Sequence, residues 1–208
     1  MKKFSIDWVE INDIAIATIA ISIALVIAFT GISNLAKFSV VGLAKQMGIM
    51  IITVGSAFIL HEMAHKIVAQ HYGAYAAFRI WPLGLLMALV FSVFGFVLAA
   101  PGAVYIYAPH ITRKQNGLIS LAGPVTNMVL ALAFIAMLPI LVATFGPKSI
   151  LSEIALIGYS INGILALFNL IPIFPLDGSK VLWWNWIIWA VAFAVALLIY
   201  LGPIFLFG

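Results

Sequence analysis

GIMIITVGSAFILHEMAHKIVAQ, residues 48–70, decides the fold class of this chain and its chemistry together. At ~1.5 Å of rise per residue, a helix of this length spans the ~30 Å hydrocarbon core of a bilayer. Its only ionisable side chains are His61, Glu62, His65 and Lys66. Residues four apart share a helix face, so His61 and His65 can grip one metal ion. Glu62, one step after the first histidine, can take a proton from a water at that metal. Imidazoles and a carboxylate are costly to desolvate in hydrocarbon, which makes this group a functional-site hypothesis rather than decoration. The bland alternative is a polar pair satisfied by neighbouring backbone.

A catalytic metal of this kind needs a third protein ligand and one open position. Beyond Glu62 the acids are Asp7, Glu10, Asp13, Glu153 and Asp177, and the other histidines are His71 and His110. The first three acids sit in a polar N-terminal segment and read as solvated. Glu153 follows Lys148 at a helix start, where a carboxylate offsets the helix dipole. His71 and His110 flank apolar spans beside Tyr72 and Pro109, as interfacial residues do. Asp177 differs, because it closes NLIPIFPLDG, residues 169–178, a proline-broken apolar stretch between two hydrophobic helices. Irregular backbone at membrane depth is tolerated only where protein or a water-filled cavity covers it. Chemistry alone therefore selects Asp177.

With these residues in view, the chain resembles the site-2 protease family of intramembrane zinc metalloproteases. The resemblance rests on His61-Glu62-x-x-His65, on Ala122-Gly123-Pro124-x-x-Asn127, and on Asn169-x-x-Pro172 followed by Leu176-Asp177-Gly178, in the family's order. It implies one zinc ion per chain held by His61, His65 and Asp177, with Glu62 as general base. It also implies that Asn127 and Asn169 lie near the site, where they are expected to bind substrate. An interhelical hydrogen bond is the bland alternative for each asparagine. Gly123 and Pro124 read as packing and bending residues.

Composition agrees. With 65% hydrophobic and 8% charged residues and a mean hydropathy of +1.24, the 208-residue chain is no ordinary soluble domain. The net charge of +4 comes from scattered Lys and Arg, which argues against nucleic acid and fits membrane topology signals. There is no cysteine, so disulfides and thiolate ligands are excluded. No polar stretch is long enough for an appended soluble domain, so residues 1–208 read as a single protease domain, a minimal family member or a trimmed piece of one. Lys2 and Lys3 before an apolar run hint at a signal peptide, but Asp7, Glu10 and Asp13 intervene. That run is expected to be an uncleaved first helix.

The expected fold is an all-α polytopic membrane protein with about five transmembrane helices, at 14–34, 48–70, 117–145, 150–171 and 181–207. Region 82–108 is expected to be re-entrant and to carry β-structure, because Gly84, Gly95, Pro101 and Gly102 break it and Val104–Tyr107 has strand-like composition. Geometry supports this. His61 lies ~13 Å before its helix exit, and Asp177 follows the exit of 150–171. For both to reach one ion, an even number of crossings must separate those exits. Charge gives the same answer: a re-entrant loop gathers Lys2, Lys3, Lys66, Arg79, Arg113, Lys114 and Lys180 against Lys37, Lys45 and Lys148. Seven against three is a positive-inside bias that puts the N-terminus and the nearer face of the site in the cytosol. The alternative, six helices, gives five against five and separates the two halves of the site.

The expected activity is hydrolysis of a peptide bond within or near a transmembrane segment of a membrane-protein substrate, as in regulated intramembrane proteolysis. A strand edge near Arg79–Trp81 or Val104–Tyr107 could hold an unwound substrate by β-augmentation. Trp183, Trp184, Trp186 and Trp189 read as interfacial anchors. The alternative is a non-proteolytic metal-binding membrane protein, either an ion-transit protein or an inactive homologue. Transporters usually show paired broken helices in internal repeats, and none is evident. A zinc hydrolase acting on lipid-like substrates would need ligands on further helices, and this chain lacks them.

Overall fold

The computed structural model describes the backbone of residues 5–35, 37–97, 101–108 and 110–207, and the side chains of these through residue 202. The chain is an all-α polytopic membrane protein with one small sheet. Its elements are α1 (Trp8–Thr30), α2 (Ile32–Leu35), α3 (Val40–His71), β1 (Tyr75–Ile80), α4 (Pro82–Ser92), β2 (Gly102–Tyr107), α5 (Arg113–Phe145), α6 (Ile150–Asn169), α7 (Asp177–Trp184) and α8 (Trp186–Phe207). Helices α1, α3, α5 and α6 are long and apolar enough to cross a bilayer, while α4 and Trp186–Gly202 of α8 are apolar and shorter. Many large apolar side chains are exposed, among them Ile140, Leu198 and Val129. In a bilayer such residues face lipid, and helices meet instead through small residues and hydrogen bonds.

Two compact units are present, and α3 runs from one into the other between Ile59 and Leu60. One comprises residues 5–59 and 77–105. Here α1 begins further upstream than the hydropathy pattern suggests, because Asp7 caps it by accepting the Glu10 N–H at 2.7 Å. Helix α1 packs on α4. At Gly55 of α3 the Thr18 methyl of α1 comes close enough that a Cβ would lie 3.3 Å from it. Strands β1 and β2 are antiparallel neighbours: Trp81 N–H donates to the Pro101 carbonyl at 3.0 Å, and Gly102 lies against Arg79 and Ile80.

Glu10 corrects the expectation of a solvated N-terminal acid. It is 1% exposed, and its carboxylate accepts the Phe78 N–H at 3.0 Å. That N–H points away from β2, because Trp81, three residues on, points towards it and strand groups alternate. The outer edge of β1 is therefore covered at Phe78. Asp7 also pairs with Arg79 at 3.2 Å, at a half-exposed position.

The other unit contains residues 60–76 and 106–208. Helices α5 and α6 form its main antiparallel pair, with α7 on α5 and α8 on α6. Met128, Ala166, Leu170 and Ala196 form a core against Leu121, Leu167, Ala192, Phe193 and Ile199. The expected last span is broken. Asn185 leaves the helical conformation at φ −153°, ψ 109°, and its side chain accepts the N–H groups of Ile187 and Ile188, which starts α8 afresh. The preceding α7 is a separate eight-residue helix.

Two of the tryptophans expected as anchors have internal roles. Trp189 donates its indole N–H to the Leu170 carbonyl at 2.8 Å, and Trp184 fills the space left by Gly117. Trp183 lies under the Arg113 guanidinium at 4.4 Å.

The burial of Glu10 makes a prediction. Glu10→Ala leaves a buried backbone donor without this acceptor and is expected to destabilise the protein by about 1–3 kcal/mol. Asp13→Ala, at a partly exposed position, is expected to have little effect. Thermal unfolding of the two variants in the same detergent checks both.

Candidate metal centre

Three donor atoms meet inside the unit of residues 60–76 and 106–208. On α3, His61 and His65 lie one turn apart and bring their Nε2 atoms to 3.0 Å. The Asp177 Oδ2 lies 3.3 Å from His61 Nε2 and 3.0 Å from His65 Nε2. All three residues are less than 9% exposed, and among the described residues they form the cluster able to hold a metal ion.

The partner helix α5 supports both imidazoles with three positions four residues apart. The Ile119 carbonyl accepts from His65 Nδ1 at 2.7 Å. Asn127 places its Oδ1 2.5 Å from His61 Nδ1. Between them Gly123 has no side chain, and a Cβ there would lie 2.5 Å from His65 Nε2 and 2.6 Å from His61 Nε2. Because the spacing is four, carbonyl, gap and amide all fall on one face. Asn127 is held in turn, since its Nδ2 donates to Asn162 Oδ1 at 2.9 Å and Asn162 Nδ2 donates to the Gly158 carbonyl at 2.8 Å.

Asp177 arrives by a different route. Helix α6 ends at Asn169, and two short turns follow, Ile173 N–H to Ile171 carbonyl and Leu176 N–H to Ile173 carbonyl, each at 2.8 Å. Asp177 then opens α7. A Cβ at Gly178 would overlap the carbonyls of Leu170 and Ile171, so glycine is what lets α7 start this close to the end of α6. One turn later, Lys180 Nζ lies 3.4 Å from Asp177 Oδ1. One carboxylate oxygen thus faces a lysine and the other faces the histidines.

The donor set fits a small divalent ion. With both Nδ1 atoms committed as donors, each neutral imidazole presents a lone pair at Nε2, and the Asp177 carboxylate presents only lone pairs. Three acceptors therefore converge at ~3 Å in a buried place, an arrangement that a cation relieves. Tetrahedral bonds of ~2.0–2.1 Å put ligand atoms ~3.3 Å apart, close to the spacings present. Glu62 follows His61 on α3 and is also buried, at 8% exposure.

The structure thus brings His61, His65 and Asp177 together. Asn127, expected at the substrate, turns its amide to His61 and Asn162 instead and is fully buried. Asn169 is partly buried and donates to the Leu165 carbonyl at 2.9 Å. His71 and His110 are exposed, and Glu153 lies in the first turn of α6. Sequence reasoning missed Asn162, whose only signal was an amide in an apolar helix, and took Gly123 for a packing residue. The Ile119 carbonyl leaves no signal in a sequence, because every residue has one.

Comparison with known proteins places relatives beside this geometry. The chain is 43% identical over 192 residues to "Putative zinc metalloprotease MJ0611" of Methanocaldococcus jannaschii, covering 92% of each chain. It is 31% identical over 153 residues to "Putative zinc metalloprotease YwhC" of Bacillus subtilis, covering 65% of this chain and 68% of that one. It is also 31% identical over 126 residues to "Putative zinc metalloprotease Rip3" of Mycobacterium tuberculosis, covering 60% of this chain and 28% of that longer one. No family model matches the chain, and no solved structure matches it.

Gly123 gives the sharpest check on the centre. Gly123→Ala is expected to lower divalent-metal affinity by about 10- to 100-fold, the range seen when the groups supporting metal ligands are disturbed. Gly48→Ala, where nothing lies within 4 Å of the added Cβ, is expected to leave it unchanged. Chelator competition on the purified proteins measures both.

Proposed function

Because this chain belongs to the site-2 protease family of zinc metalloproteases, we propose that it is an intramembrane endopeptidase that hydrolyses a peptide bond within or near a transmembrane segment of another membrane protein. The observation that carries the reading is the convergence of three buried acceptors, His61 Nε2, His65 Nε2 and Asp177 Oδ2, within 3.0–3.3 Å of one another. These residues would hold one zinc ion. When bound, zinc would supply Lewis acidity for activating water and polarising a carbonyl.

The remaining steps belong to the chain's own residues. Glu62 takes a proton from the attacking water and passes it to the leaving amine. Lys180 lies against Asp177 Oδ1, and the carboxylate turns its other oxygen, Oδ2, to the histidines. Asn169, at the end of α6, can offer its amide oxygen to a substrate N–H, since its own N–H group is satisfied by Leu165. Asn127 acts on His61 rather than on substrate.

The same geometry supports a topology. Asp177 and the His61–His65 pair meet near the C-terminal ends of α6 and α3, so those ends lie towards one membrane face. Helices α5 and α6 supply two crossings between them. The 11-residue α4 has a length of ~16 Å, too short for a third. The charge count changes in one respect. Lys66 is 1% exposed within α3 and is not a loop charge, so the bias is six against three. Lys2 and Lys3 of that count lie outside the described residues. A cytosolic N-terminus follows.

The test is cleavage of a single-span reporter protein in vesicles that contain the purified enzyme. Glu62→Gln is expected to keep about one zinc per chain while cleavage falls by about 10²–10⁴-fold, the range for loss of a general acid–base group. Asp177→Ala is expected to lose both. Undiminished cleavage by Glu62→Gln would overturn the assignment. A wild-type protein that binds zinc and cleaves no reporter would favour a non-proteolytic metal-binding role.

A further inference from the structure

We infer that Trp184, the last residue of α7, sets the level at which Asp177 meets the two histidines, by seating its indole in the notch that Gly117 leaves in α5. This rests on the reading of Asp177 as a zinc ligand. Helix α7 has only eight residues and begins with Asp177 itself, so whatever fixes α7 along α5 also fixes the carboxylate. At its start, Gly178 lies against the carbonyls of Leu170 and Ile171. At its end, Trp184 lies over Gly117, where an added Cβ would be 2.4 Å from the Trp184 Cε3 and 2.6 Å from its Cβ. Rotating the indole does not relieve that overlap, because the Trp184 Cβ moves only with the backbone of α7. Trp183 fastens the same end, lying beneath the guanidinium of Arg113, one turn before Gly117 on α5.

The spacings on the two helices match. Asp177 and Trp184 are seven residues apart, close to two turns, so they share one face of α7 and are separated by ~10 Å of rise. On α5, Gly117 precedes Gly123, the residue that makes room for both imidazoles, by six residues or ~9 Å. Asp177 meets the histidines beside Gly123 while Trp184 meets Gly117, so α7 runs against the direction of α5. Seating the indole at Gly117 therefore brings the carboxylate level with the imidazoles, to about one residue's rise. Six residues also turn α5 by about 120°, so Gly117 and Gly123 lie on different faces of it. One face receives α7 and the other receives the histidines, and α5 is the common template for all three ligands. Trp184 is accordingly a positioning residue rather than a catalytic one. A tryptophan that served only as an interfacial anchor would be indifferent to the size of residue 117.

Three substitutions separate positioning from packing. Gly117→Ala displaces α7, and Trp184→Ala removes the seat without crowding α5. Each is expected to weaken zinc binding by about 10- to 100-fold in chelator competition and to alter the visible absorption bands of the cobalt(II)-loaded protein. Gly163→Ala is the control, since its added Cβ would lie 2.8 Å from Tyr200 Cδ2, away from α7. It is expected to lower the melting temperature while keeping wild-type zinc affinity and cobalt bands. If Gly117→Ala does not fold, Trp184→Ala carries the test. Wild-type affinity and bands in a folded Gly117→Ala or Trp184→Ala would overturn the inference, as would equal changes in Gly163→Ala. A metal-free readout uses spin labels on Lys114→Cys and Ile173→Cys in this cysteine-free chain. Gly117→Ala is expected to shift their separation by about 1 Å, the amount that opens a 2.4 Å approach to van der Waals contact. If the wild type binds neither zinc nor cobalt, the proposed function fails on its own. The label separation then decides the role of Trp184, and an unchanged value would overturn it.

Discussion

Everything in the metal-bearing unit depends on one constraint: lone pairs brought together away from water need a positive partner. His61, His65 and Asp177 present three of them, and each has a partner on its far side. Ile119 supplies a backbone carbonyl, Asn127 an amide oxygen and Lys180 an ammonium group. In hydrocarbon, where an unsatisfied polar group costs several kcal/mol, such an arrangement survives only if each partner is in place. The centre is therefore as much a property of α5 and α7 as of the histidine helix.

Small residues carry the close approaches. Gly123 leaves the space that both imidazoles occupy, and Gly178 lets α7 begin against the carbonyls that end α6. The same principle shapes packing further from the site, where Gly158 accommodates Phe134 and Gly163 accommodates Tyr200. Helices surrounded by lipid gain little from burying apolar surface against each other, so intimate contact and hydrogen bonds must hold them together. Tyr159 illustrates the second device, since its hydroxyl lies 2.8 Å and 2.7 Å from the carbonyls of Ile199 and Tyr200.

Two local readings failed for related reasons. Glu10 sits in a polar stretch and was expected in water, but α1 starts at Trp8 and carries it to a backbone donor on β1. The last apolar run was expected as one helix, but Asn185 is better satisfied capping α8 than continuing α7. In both cases a polar side chain found a backbone partner, and hydropathy summed over a window is insensitive to single hydrogen bonds. Trp189 belongs with them: its ring composition suggested an interface, and its N–H instead completes the Leu170 carbonyl at the end of α6.

The sequence by itself determined the membrane class, from its apolar length and scarcity of charge, and it singled out His61, Glu62, His65 and Asp177 as the groups too costly to leave in hydrocarbon without a purpose. It could do so because period and desolvation are properties of a single segment. Only the tertiary structure decided that Gly123 makes room for the ligands, that a carbonyl at Ile119 meets one histidine, and that the Asn127 amide meets the other. Those roles arise between helices far apart in the chain. A glycine's missing side chain, a backbone carbonyl or the direction of an amide has meaning only once a partner has been brought beside it.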